Sequence, residues 1–212
     1  MAPPVFDTAF RARLAELLAW RRDVRRFRDE ALPPGTLERL LALAELAPSV
    51  GNAQPWRFVL VEQAGRRAAI RENFRLANAA ALAGYRGERA ALYARLKLEG
   101  LRQAPLQLAV FSEEADPQGH GLGRATMPEA LAYSTVCAIH TLWLAARAEG
   151  IGLGWLSILD PGAVGRALEL PPDWRFVAYL CLGRPEEEHL DPELERCGWQ
   201  ARTAPAGRLI RR

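Results

Sequence analysis

The sequence predicts a single α/β or α+β domain. β-prone runs alternate with helical segments, and no internal repeat or low-complexity linker divides the chain. Half of the 212 residues are apolar and a quarter are charged, which suits one substantial core in water.

The elements follow in order. Residues 8–20 carry Phe10, Leu14, Leu17 and Leu18 on a helical repeat. Pro33, Pro34 and Thr36 mark a second helix start, and Leu37, Leu40, Leu41, Leu43 and Ala44 continue it until Pro48. RFVLVE, residues 57–62, reads as a strand, and residues 64–103 as two helices broken near Gly84 to Gly87. A second strand is expected over 105–112, then a polar loop from Glu113 to Thr126, for which mobility is expected. Helix signals resume at Pro128 and lead into the apolar segment 130–148. GLGWLSIL, 152–159, is the third strand; a short helix lies around 160–168 and a fourth strand covers 174–183. The tail from Arg184 is irregular and holds Trp199 without a core of its own. Such a tail packs on a neighbour, so residues 1–212 read as one domain with 184–212 exchanged in a dimer.

Several function classes are disfavoured. Net charge is +3, and the 28 basic residues are spread along the chain, unlike the single basic face of a nucleic-acid binder. Cys137, Cys181 and Cys197 are odd in number and far apart, so reduced thiols of a cytoplasmic protein are expected rather than a disulfide framework. His120, His140 and His189 lack ligand spacing, so no metal site is expected. The N-terminus has no secretory pattern. Segment 130–148 approaches membrane-spanning length, but Ser134, Thr135, His140 and Thr141 interrupt it and Arg147 closes it. It reads as a core or interface helix, with no membrane role.

Three stretches carry candidate chemistry. RRDVRRFRDE, 21–30, is half arginine; its guanidinium forks suit a phosphate, although cations also favour a helix C-terminus. APSVGNAQPW, 47–56, offers Ser49, Asn52 and Gln54 around Gly51, either to the rim of a flat heterocycle or only to a helix-to-strand turn. GIGLGWLSI, 150–158, is glycine-rich but runs from helix into strand, the reverse of a dinucleotide fingerprint. Its glycines let backbone approach a planar ligand, or let helix and strand pack. No hydrolase or Walker motif appears.

Taken together, RRDVRRF, APSVGNAQPW and GIGLGWLSI resemble the flavin-dependent nitroreductase superfamily, over nearly the whole chain and in family order. GERAALYARLKLEGLRQAPL, YSTVCAIHTLWLAARAEGIGLGWLSIL and VAYLCLGRPEE are similar to its aerobic flavin-destroying branch. The resemblance implies an α+β fold, a central and mainly antiparallel sheet flanked by helices, assembled as an intertwined homodimer. It implies reduced FMN and molecular oxygen as substrates, giving 5,6-dimethylbenzimidazole, the lower ligand of cobalamin, and erythrose 4-phosphate. NAD(P)H would act indirectly, through a separate flavin reductase.

By the same resemblance Arg21, Arg22, Asp23, Val24 and Arg25 bind FMN, the arginines holding its phosphate and ribityl chain. Ser49 and Gln54 meet the isoalloxazine from the other subunit. Trp155, Leu156 and Ser157 lie along the ring, Arg202 adds a phosphate contact, and Tyr93 to Gly100 form a lid. Asp23 stands where ordinary nitroreductases carry serine, and Asp23 and Ser157 are the implied catalytic pair. A carboxylate near the ribityl chain can take a proton, and a hydroxyl can relay one. Two rivals remain: an NAD(P)H-dependent nitro or quinone reductase that retains FMN, and a non-catalytic flavin-binding protein.

Overall fold

Four strands, β1 (Trp56–Leu60), β2 (Leu106–Glu113), β3 (Gly152–Leu156) and β4 (Trp174–Gly183), form one sheet of order β1-β2-β4-β3 in which all neighbours run antiparallel. Among the described residues seven α-helices accompany it: α1 (Thr8–Trp20), α2 (Thr36–Ala44), α3 (Ala64–Ala83), α4 (Gly87–Arg95), α5 (Ala130–Ala148), α6 (Pro161–Leu168) and the short α7 (Glu193–Arg196). This is a computed structural model; it describes residues 3–204 and 207–212. Residues 1 and 2 of the expected domain, and 205 and 206 of the expected tail, lie outside the described residues.

The two central strands are buried on both faces, and their side chains alternate between two cores. Leu108 and Val110 of β2, with Ala178, Leu180 and Leu182 of β4, meet α2 and α5 through Leu40, Ala44, Ile139 and Leu142. Ala109 and Phe111, with Tyr179 and Cys181, meet α3 and α6 through Ile70, Val164 and Leu168. Burial on both faces is why β4 is a continuous apolar run from Phe176 onward rather than an alternating one. The polar residues of α5 are satisfied locally: the Ser134 and Thr135 hydroxyls donate to the carbonyls of Ala130 and Leu131. No described helix is long and apolar enough to cross a membrane.

The α3 and α6 layer is fastened by one buried amide. Asn73 donates to the Asp160 carbonyl at 3.0 Å and accepts from its N–H at 2.8 Å. Asp160 in turn caps α6 by accepting from the Ala163 N–H.

Two element boundaries differ from expectation. The third strand stops at Leu156 instead of 159, because the Leu159 N–H returns to the Ser157 carbonyl and Asp160 then starts α6. The second helix of 64–103 ends at Arg95, leaving 96–105 non-helical. The loop after β2 has defined contacts: Gly119 packs against Gly51, and Gln118 donates to the Asn52 carbonyl at 3.1 Å. α1 is the expected helix but buries none of its residues; Phe10, Leu14 and Leu18 stay 46, 42 and 44% exposed.

Candidate active site

The arginine-rich stretch runs along the free edge of β3. Asp23 forms a parallel bridge with Leu153, the Val24 N–H donates to the Leu153 carbonyl at 3.1 Å, and Phe27 bridges Pro185 just past β4. The glycines of β3 permit this approach: a Cβ at Gly152 would stand 2.9 Å from the Val24 side chain, and one at Gly154 would overlap the Val24 carbonyl oxygen. The backbone that approaches Gly152 and Gly154 is this chain's own segment 23–25, neither the helix nor the planar ligand expected.

Asp23 is held at both oxygens. Oδ1 accepts from the Trp155 N–H at 2.8 Å, while Oδ2 accepts from Arg25 Nε at 3.0 Å and Nη2 at 2.7 Å. The remaining Arg25 arm, Nη1, donates to the Lys97 carbonyl at 3.0 Å. Beneath them a small cavity is lined by Asp23, Arg25, Glu99, Gly100, Leu156 and Cys181, among others. Burial, with Glu99 next, pushes the Cys181 thiol up to about 12, so it stays protonated.

The other arginines form a cationic edge. Arg21 stacks its guanidinium over the Trp143 ring at 4.8 Å, and the Trp143 indole donates to the Arg22 carbonyl at 3.2 Å. Arg22 Nε is buried without a hydrogen-bond partner among the described residues. Desolvation, then the charges of Arg21 and Arg202, hold Arg22 below the ordinary arginine range, with Asp191 opposing. An Arg22 guanidinium repelled by the charges of Arg21 and Arg202, with an orphaned donor, suits an anion. The donor set thus fits a phosphate group such as that of FMN.

The other expected residues are placed as follows. Trp155 and Leu156 lie at the end of β3 beside Asp23, whereas Ser157 is past the strand and exposed. Ser49 and Gln54 lie before β1 and make no hydrogen bond to the Asp23 cluster within the chain. The Ser49 hydroxyl accepts from the Gln54 N–H at 3.1 Å; the Gln54 side chain donates to Asn52 and accepts from Gln118, both at 3.2 Å. Both offered amides are thus engaged locally. Arg202 is exposed but near enough to Arg22 to affect its charge.

The tail folds back on its own chain over the same stretch. Arg26 pairs with Glu193 at 2.6 Å and Glu187 at 3.2 Å, Arg147 pairs with Glu188, and Trp199 packs against Tyr85 and Tyr93. Sequence reasoning missed Trp143, Glu99 and Cys181 here. Trp143 had one available signal, an indole N–H on an otherwise apolar helix that needs an acceptor when buried; the other two had none. Among the described residues no cluster of metal-binding side chains occurs.

Comparisons with known proteins bear on the fold and the family. The sequence pattern of the nitroreductase family matches residues 18–184. A 5,6-dimethylbenzimidazole synthase from Rhodospirillum rubrum is 62% identical over 199 residues, covering 94% of each chain. One from Rhodobacter capsulatus is 55% identical over 195 residues, covering 92% of this chain and 94% of the other. Among solved structures, an oxidised iodotyrosine deiodinase bound to FMN and 3-iodo-L-tyrosine superposes with a TM-score of 0.70 at 29% identity, covering 83% of this chain and 91% of that one. A family match from α1 to the end of β4, on the expected antiparallel sheet, leads to one conclusion: the chain belongs to the nitroreductase family.

Proposed function

We propose that the protein is a 5,6-dimethylbenzimidazole synthase that uses reduced FMN as a substrate with molecular oxygen. The observation that carries this reading is the seated carboxylate of Asp23, forked by Arg25 on the edge of β3, in a chain 62% identical to a synthase of that name. The related structure with bound FMN supports a flavin in this fold.

Reduced flavin supplies the electrons and the carbon skeleton that is cut, and oxygen is the oxidant. The chain's residues bind, orient and move protons. Arg21, Arg22 and Arg202 hold the phosphate, which relieves their mutual repulsion. Trp155 and Leu156 define the surface along which the ring lies. A carboxylate has about four acceptor positions. Oδ2 of Asp23 uses two on Arg25 and Oδ1 uses one on the Trp155 N–H, so the second lone pair of Oδ1 takes the substrate proton. Ser157, exposed past β3, relays a proton. Segment 96–100 covers the site and excludes water.

A homodimer completes the site. Apolar side chains of α1, and Tyr133 and Val136 of α5, are left exposed in the single chain. Covering them with a second copy brings Ser49 and Gln54 of that copy to the ring. The electrons come from NAD(P)H through a separate reductase.

The test supplies reduced FMN and air and looks for 5,6-dimethylbenzimidazole by mass spectrometry. Asp23→Ser should keep flavin binding and lose the product; normal product formation by that variant would remove Asp23 from the chemistry. Recovery of intact FMN alone from active wild-type protein overturns the reading, and multiple-turnover nitroarene reduction by NADPH would replace it with a reductase.

A further inference from the structure

We infer that Arg25 is a positioning residue that couples the seating of segment 96–100 to the orientation of Asp23. The inference rests on the proposed role of Asp23 as the proton acceptor. It starts from one planar guanidinium that serves two elements at once: Nε and Nη2 fork Asp23 Oδ2, and Nη1 donates to the Lys97 carbonyl at 3.0 Å. The arms of a guanidinium share one rigid plane. Fixing Nη1 on Lys97 therefore fixes the plane in which Nε and Nη2 meet Asp23.

The segment has few other holds. α4 ends at Arg95, and residues 96–100 are irregular. Lys97 and Glu99 pair with each other at 3.2 Å, within the segment. Gly100 lies so close to the Phe27 ring that a Cβ would overlap it, and this contact sets how far the segment can settle. The far end is anchored from below, where Gln107 donates to the carbonyls of Leu101 and Ala104 and accepts from the Tyr179 hydroxyl. At its ends the Leu96 N–H donates to the Tyr93 carbonyl, Glu99 accepts from the Leu101 N–H and the Gly100 carbonyl accepts from the Ala104 N–H; in its middle, Arg25 ties the Lys97 carbonyl to the Asp23 stretch. The Arg25 side chain is 15% exposed, so its charge-assisted bonds are little screened by water.

The functional consequence is a linked equilibrium. With the segment seated, Arg25 is locked and Asp23 presents Oδ1; with it lifted, Nη1 loses its acceptor and the fork is free to rotate. Asp23 thus reaches its working orientation only when the site is covered. Linkage is reciprocal: what loosens the Asp23 fork must also loosen a segment to which Asp23 makes no hydrogen bond.

Hydrogen exchange on the full-length protein tests this without any turnover. In Arg25→Lys, which keeps the charge but cannot hold both partners in one plane, peptides covering 96–104 should exchange about tenfold faster or more, as expected when a charge-assisted bond is lost. In Asp23→Asn the same peptides should also exchange faster, while those of β2 and β4 stay as in the wild type. Unchanged exchange in Asp23→Asn, with or without a change in Arg25→Lys, overturns the coupling. In the product assay, Arg25→Lys should shift reduced flavin from fragmentation towards return as intact FMN, a partition that weaker binding alone would not move. If wild-type protein makes no product, the proposed function fails, while the exchange result still decides the coupling.

Discussion

Val24 and Gly154 meet backbone to backbone, with the Val24 carbonyl oxygen in the space that a Cβ at 154 would occupy. Gly154→Ala must therefore push residues 23–25 off β3, breaking the Trp155 to Asp23 bond. A destabilisation of ~1–3 kcal/mol is expected by urea denaturation, with loss of flavin retention on gel filtration. Gly165→Ala is the control. Nothing lies within 4 Å of its added Cβ, and in α6 the change should be neutral or stabilising by up to ~1 kcal/mol.

The Asn73 amide carries the connection between α3 and the start of α6. Asn73→Ala leaves the Asp160 N–H and carbonyl without their partner. The expected cost is ~1–3 kcal/mol in equilibrium unfolding. Asn73→Asp should not rescue the loss, because it keeps the acceptor for the Asp160 N–H but sets a buried carboxylate oxygen against the Asp160 carbonyl.

The tail should loosen in acid. Hydrogen bonds from His189 to Glu187 and from Arg147 to Glu188 hold both glutamates below the ordinary carboxylate range. Groups with depressed folded values stabilise above their unfolded value, and this contribution is lost as pH falls through the folded one. Residues 185–199 should become more open to limited proteolysis as pH drops below the ordinary glutamate range, before β4 opens. Equal cleavage at neutral and acid pH would contradict this.

The three thiols should differ. Cys197 is exposed and Cys181 is buried with its thiol pushed up to about 12. A thiol reagent at neutral pH should label Cys197 in native protein and Cys181 only after unfolding. Cys137 is exposed in the single chain on the same side of α5 as Tyr133 and Val136. Its protection at high protein concentration, and labelling on dilution, would report a second copy covering that face.

Legibility followed locality. β4 was readable from Trp174 to Gly183 because, past the exposed Arg175, burial on both faces leaves an apolar run from Phe176 onward. α5 was readable because its hydroxyls bond within the helix and do not break the pattern. The third strand was read three residues too long since Ile158 and Leu159 keep the apolar character, while a turn bond and a cap end it. In the candidate site, the proximity of Asp23 to arginine was visible in the sequence. The bond from Trp155, 132 residues away, was not, and neither was the arm of Arg25 on Lys97, because both depend on how the chain closes in space.

Gly51 and Gly119 show how far a distant contact can reach. An added Cβ at Gly119 would stand 2.8 Å from the Gly51 carbonyl oxygen, and Gln118 holds both Asn52 and Gln54. Segment 114–124 has the polar, glycine-rich look of a loop into which a tag or linker could be spliced freely. Its backbone is instead interlocked with the turn that carries Ser49 and Gln54. For protein engineering this surface is a poor insertion point: lengthening it would shift residues far along the chain that no sequence distance would flag.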